Sequence, residues 1–269
     1  MRNLLPASLL NNNSTGRVSG IVELNIPMDG QSCCFAIEVA DPELSLAGLV
    51  PLARELAEQI TRIKTAQLNE RQTTVPCRKG CAACCNYLVP LSVPEALVFA
   101  EELDRLPPQQ SGPIKKAVLE SSRKILESTR RGCFDADGQS YDAISGWYNS
   151  LGLVCPFLTN NICSNYQNRP IACREHLVVG SSDNCSASAD NRPRVVKLPV
   201  SILDCLAKLS AELEKTAVES VAMPLALAWA NQNRLRLQKK WPARLLIERF
   251  RDIIERSCTE SAVPLACNN

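Results

Sequence analysis

The chain of 269 residues has a single histidine, His176, and a net charge of only +2, from 30 Lys and Arg against 28 Asp and Glu. One histidine gives no Ser-His-Asp arrangement to argue. The near-balance of charge means that no global field calls for a nucleic-acid or membrane partner. No apolar stretch approaches the ~20 residues needed to span a bilayer. The opening "MRNLLPASLLNNN" is a poor secretory signal. Pro6 and Ser8 interrupt its apolar run, and Asn11 to Asn13 stand where small residues would be expected. The expected compartment is therefore the cytoplasm. There is no Walker-type phosphate loop, no carboxylate pair at useful spacing, no internal repeat and no low-complexity tract.

Cysteine is what the chain has in excess, with 14 in all. A globule of this size buries roughly 70–75% of the surface of its unfolded chain, so it does not need crosslinks to make up for a small core. In a reducing compartment so many thiols point to metal ligation or redox chemistry rather than a disulfide framework. Nine of them fall between residues 77 and 185, and eight of these, all but Cys133, stand in two groups. "CRKGCAACC" carries Cys77, Cys81, Cys84 and Cys85. If this stretch is helical after Gly80, then Cys77, Cys81 and Cys84 share one face, and Cys85 points about 100° away, towards a second site or a bridging role. "CPFLTNNICSNYQNRPIACREH" carries Cys155, Cys163 and Cys173, and Cys185 follows in "DNC". The "TNN" turn can fold Cys155 and Cys163 together in a short hairpin.

Soft, charged sulfur is the preferred protein ligand of zinc and of iron–sulfur clusters, and both take four ligands. Eight thiols suffice for two such sites, or for one site with thiols to spare. Arg78, Lys79, Arg169 and Arg174 flank the cysteines and could donate hydrogen bonds to thiolates. His176, three residues after Cys173, is a candidate ligand or proton relay, with Glu175 and Asp183 as weaker candidates.

Around this cluster the pattern is mainly α, with an irregular Cys-rich metal-binding centre and a small N-terminal β-hairpin. Residues 1–17 read as loose, and 18–72 as a hairpin plus helix. In the hairpin, Val22, Leu24 and Ile26 alternate on one strand and Phe35, Ile37 and Val39 on the other, with Asp29-Gly30 as the turn. Cys33 and Cys34 read as strand residues without a metal role. A helix is expected from Asp41 to Gln72. Residues 73–195 form the cysteine-cluster domain. It includes a helix capped by Ser92 and Glu95 at capping-box spacing, a helix from near Pro113 to Arg130, and irregular chain over 132–195. Residues 196–269 read as a C-terminal helical segment packed on it, with helices at 201–220, 224–240 and 242–256.

"CRKGCAACC", "VPLSVPEAL" and "CPFLTNNICSNYQNRPIACREH" together resemble the YkgJ-like or CxxCxxCC family of zinc- or iron-chelating cysteine-cluster domains, over about residues 75 to 186. The resemblance implies a small metal-chelating domain with ligands at Cys77, Cys81, Cys84, Cys85, Cys155, Cys163, Cys173 and Cys185. Three residues separate Cys77 from Cys81, where the family name has two. The implied cofactor is zinc or iron, an iron–sulfur cluster included. The partner is the metal ion; no membrane or nucleic-acid partner is expected, and no protein partner can be named.

A second reading is an iron–sulfur enzyme. Cys77-x3-Cys81-x2-Cys84 has the spacing of radical S-adenosylmethionine enzymes, and some proteins with this cluster resemble protein methylases. Ala83 stands where those enzymes carry an aromatic, and no strand–helix alternation suggests their barrel. A third is nucleic-acid or partner binding through "NRLRLQKKWPARLLIERFR", whose basic residues read more simply as the solvated faces of amphipathic helices. Cys133, Cys205, Cys258 and Cys267 have no motif around them, although Cys133 could be a spare ligand.

Overall fold

The computed structural model of the chain describes residues 2–10, 18–40, 42–130, 141–186 and 193–262. Strands β1 (Arg2–Leu5), β2 (Gly20–Met28) and β3 (Gln31–Val39) form one sheet in the order β1-β3-β2. β2 and β3 are the expected hairpin, paired from Met28–Gln31 to Gly20–Val39. Asp29 and Gly30 turn it with φ of 48° and 85°. A two-residue turn with both φ positive matches the right-handed twist of the strands. β1 corrects the loose reading of the N-terminus: Arg2–Leu5 runs parallel to β3, with Leu5 fully buried. A four-residue strand joined to its partner by a long connection leaves no periodic trace. Residues 11–17 lie outside the described residues.

Among the described residues the helices are α1 (Val50–Glu70), α2 (Val93–Arg105), α3 (Pro108–Arg130), α4 (Tyr141–Ser150), α5 (Ile171–Glu175), α6 (Ile202–Glu214), α7 (Ala226–Gln232) and α8 (Ala243–Ala262). Short strands pair between them: β4 (Glu43–Leu44), β5 (Pro90–Ser92), β6 (Leu158–Thr159), β7 (Ile162–Cys163), β8 (Val178–Val179), β9 (Arg194–Val195), β10 (Ser220–Ala222) and β11 (Trp241–Pro242). β4 pairs with β11, β5 with β10, β6 with β7 and β8 with β9, all antiparallel.

Several boundaries differ from expectation for local reasons. α1 starts at Val50 rather than Asp41, because Glu43–Leu44 is taken up by β4 and Pro51 favours the first helical turn. α3 starts at Pro108, so Pro113 lies inside it and its missing N–H leaves one helical bond unmade. α6 stops at Glu214, where Lys215 takes a left-handed φ of 56° and Thr216 N donates back to Ala211 O. Asn233 ends α7 inside the expected 224–240 helix, and a 3-10 turn over Arg234–Gln238 follows. α4 and α5 lie in the stretch expected to be irregular.

Two cores result. The larger joins the inner face of the sheet to α1, α6 and α8 through Phe35, Leu52, Leu56, Leu206, Leu246 and Phe250. The smaller gathers Leu91, Phe99, Val118, Phe157, Val221 and Met223, and Cys155, Cys163 and Cys173 pack against it. The cysteine centre is thus built on the flank of a second, smaller core.

The basic C-terminal run is largely paired within the chain. Arg236 donates through Nε to Glu214 Oε2 at 3.0 Å and through NH1 to Glu219 at 3.2 Å. Its guanidinium also covers the Trp229 ring. Arg249 pairs with Glu212, Arg244 with Glu248, and Arg251 with Asp252.

Burial pushes the Glu214 carboxyl up, but Arg236 and Lys239 outweigh it and hold it below the ordinary carboxylate range. A lowered folded pKa adds stability above the unfolded value and loses it as pH falls through the folded one. Arg236→Met should therefore cost about 1.5–3 kcal/mol at neutral pH. In urea titrations the gap from wild type should close as pH falls below about 4.3. A gap independent of pH would contradict this pairing.

Candidate metal centre

The first cysteine group is presented by consecutive turns, not by a helix. Gly80 takes a φ of 93°, a conformation that L side chains rarely adopt. Cys81 N donates to Arg78 O, Cys85 N to Ala82 O and Tyr87 N to Cys84 O, each at 3.0 Å. The helical-face argument for Cys77, Cys81 and Cys84 therefore does not apply. The loop is tied at both ends: Gly180 N donates to Thr74 O, and beyond the cysteines Met223 N donates to Val89 O beside the β5–β10 pair.

The second group comes from three pieces. The "TNN" turn closes the β6–β7 hairpin as expected, with Asn160 and Asn161 both at positive φ (50° and 59°). Phe157 meets Phe99 of α2 edge to face at 5.8 Å, seating this hairpin on the smaller core. Cys155 N donates to Cys85 O at 2.7 Å, a direct main-chain bond between the two groups. Cys173 is carried by α5, and Cys185 ends a 3-10 turn capped by Ser181.

A five-residue helix cannot hold its own position, since helix formation has a costly nucleus. Side chains from its neighbours fix α5. Fully buried Glu95 forms the expected capping box on α2, accepting from Ser92 N and Ser92 Oγ through Oε2. Its other oxygen, Oε1, accepts from Ile171 N at 2.8 Å and so caps α5 as well. Burial raises the Glu95 carboxyl, opposed by Arg54 and by these donors. At the other end, Glu175 accepts from Ile202 N at 2.5 Å and Ser201 Oγ at 3.0 Å, capping α6. Burial pushes its pKa up to about 8. Arg174 reaches Glu58 Oε2 at 2.7 Å and the carbonyls of Arg169 and Gln167, closing the loop before α5. Glu175 and Arg174 are thus structural, and this second use of Glu95 has no sequence signal.

Seven of the eight candidate thiols line one cavity of about 120 Å³: Cys77, Cys81, Cys84, Cys85, Cys155, Cys163 and Cys173. Arg78, Arg169, Arg174 and His176 share its wall. Cys185 is not in that wall, but its charge is felt at Cys84. Mutual effects divide the thiols into two groups. Cys84 senses Cys85, Cys185, Cys77 and Cys81, whereas Cys173 senses Cys84, Cys163 and Cys85. Cys84 and Cys85, adjacent in sequence, stand where the groups meet.

Burial, then repulsion from neighbouring thiols, pushes Cys84 up to about 12 and also raises Cys173. Cys85 is raised first by its hydrogen bond with Cys155 and then by burial. Cys77 and Cys163 are raised by burial, partly offset by the Val178 N–H on Cys77 Sγ (3.4 Å), the Asn165 N–H on Cys163, and the Arg169 charge on both. Such thiols stay protonated unless a cation joins them; a divalent ion inverts that logic and deprotonates its ligands. Among the described residues no three Cys, His, Asp or Glu side chains stand close enough to hold one ion as they are. Rotation of thiols now engaged with one another, such as Cys85 with Cys155, would be needed to close on it.

The wall nevertheless suits such a group. Its donors are soft sulfur, and two buried nitrogens in it, His176 Nε2 and Arg169 Nε, have no hydrogen-bond partner. Burial also lowers the His176 pKa, favouring the neutral ring.

Among the described residues the remaining cysteines are core or strand residues. Cys33 and Cys34 are in β3, and Cys205 and Cys258 are buried in the larger core. Cys133 and Cys267 lie outside the described residues. No helix among the described residues is long and apolar enough to cross a membrane. Nor do the described strands and helices alternate as a radical S-adenosylmethionine barrel would.

Residues 76–193 match the family model CxxCxxCC, described as "Putative zinc- or iron-chelating domain". This central segment, under half of the chain, is similar to that family. No curated protein and no solved structure matches the chain.

Glu95→Ala would strand two main-chain donors and one hydroxyl, each leaving a buried group unsatisfied at about 1–3 kcal/mol. Chemical denaturation should show a loss of at least about 3 kcal/mol in total, and hydrogen exchange should show α5 opening before the larger core. Unchanged protection of the α5 amides would contradict the double-cap role.

Proposed function

We propose that this protein binds zinc or iron through the thiolates of Cys77, Cys81, Cys84, Cys85, Cys155, Cys163, Cys173 and Cys185, and works in a reducing compartment such as the cytoplasm. One observation carries the reading: seven of these thiols, from segments some seventy residues apart, line a single cavity. Arg169 supports it, because its charge favours the thiolate forms of Cys77 and Cys163. Bound metal would supply Lewis acidity and crosslinking, or electron transfer if it is an iron–sulfur cluster. The chain's own part is to gather thiols from two segments, to keep them from bulk water and to offer hydrogen-bond donors to sulfur.

A ligand at residue 85 or earlier and another at 155 or later close a loop of about seventy residues, so binding contributes to folding. Protein purified without oxygen should contain zinc or iron; broad visible absorption would indicate a cluster, and a colourless zinc protein a mononuclear ion. Chelation should lower the thermal midpoint by at least about 5 °C, roughly 2 kcal/mol for a chain of this size. Cys173→Ser should remove most of that difference. Equal midpoints with and without metal would overturn the structural role.

A further inference from the structure

We infer that His176 supplies a nitrogen donor to the metal of the cysteine cavity, making the ligand set a mixture of thiolates and one imidazole. The inference rests on the metal-binding reading above, but a separate observation carries it. His176 Nε2 is buried without a hydrogen-bond partner, and His176 forms part of the wall that the thiols line. A buried polar nitrogen left unsatisfied is costly, and ligation removes that cost. Arg169 Nε is unpartnered in the same wall but bears a proton and no lone pair, so it can address only sulfur or another anion. Besides sulfur, imidazole is the wall donor best suited to zinc, since Asn165 and Tyr166 offer only harder oxygen.

The local chain holds the ring there. His176 N donates to Ala172 O at 3.1 Å, continuing the turn of α5 that carries Cys173. The ring meets Tyr87 edge to face at 5.5 Å. The main chain that follows wraps Cys77: its Sγ lies 4.0 Å from His176 O and accepts from Val178 N. An ion held by Cys77 therefore has His176 in the same wall. Charge favours the mixture too. Three thiolates and a neutral imidazole leave a divalent centre one negative charge less than four thiolates do. Two of the cavity's arginines, Arg169 and Arg174, already share Glu58.

The test is X-ray absorption at the zinc edge on the full chain loaded with zinc(II). Wild type should show sulfur at about 2.3 Å together with a nitrogen at about 2.0–2.1 Å bearing imidazole scattering. His176→Phe keeps a ring against Tyr87; it should lose that nitrogen and bind zinc at least about tenfold more weakly. His176→Cys should restore affinity with an added sulfur in place of the nitrogen. An all-sulfur spectrum in wild type overturns the inference, whether or not the Phe variant folds. So does a Phe variant with unchanged spectrum and affinity. A wild-type protein that takes up no zinc or iron instead overturns the metal-binding reading on which the inference stands.

Discussion

The buried carboxylate of Glu95 is the interaction on which the centre of this molecule depends. Its two oxygens start two helices that lie far apart in the chain, α2 through Ser92 and α5 through Ile171. Without it, α5 would lose its N-terminal cap, and only Ile171 in the larger core, the Arg174–Glu58 pair and Glu175 would be left to place Cys173. Burying a carboxylate is expensive unless its acceptor capacity is filled, and here three donors fill it with Arg54 acting nearby. Glu175 repeats the device at the other end of α5 by capping α6. The short helix is therefore suspended between two longer ones by carboxylates, and the larger core holds α6 in turn.

That suspension brings distant thiols together at an electrostatic cost. Burial and mutual repulsion raise Cys77, Cys84, Cys163 and Cys173, so the cavity opposes negative charge until a cation enters. A bound cation would reverse that preference for these four thiols. The Cys85–Cys155 main-chain bond and the Val178 N–H on Cys77 mark where the two segments are already joined by the fold. Cys84 and Cys85, adjacent in sequence, stand where the two groups of thiols meet.

Features governed by local chemistry were legible in the amino-acid sequence. Asp29-Gly30 and the Asn160-Asn161 pair announce turns because few residues accept positive φ, and Ser92 with Glu95 announces a helix start for equally local reasons. The family resemblance likewise rests on cysteine spacing, which is a property of the sequence alone. Features that depend on distant partners were not legible. β1 exists because β3 offers a free edge, β5 because β10 pairs with it, and α5 because Glu95 and Glu175 hold it. The turn series at Cys77–Cys85 has the spacing of a helix because turn bonds and helical spacing look alike over nine residues.

The central claim is that thiols from both segments hold bound metal, and metal-dependent thiol protection tests it most directly. The native protein, kept anaerobic, is alkylated with and without chelator, and the modified cysteines are located by mass spectrometry. The account predicts that Cys77, Cys81, Cys84, Cys85, Cys155, Cys163, Cys173 and Cys185 are shielded together and become reactive together when the metal is removed, while Cys33 and Cys34 react alike in both samples. Labelling of the two segments that ignores the chelator, or shielding of only one of them, would contradict it.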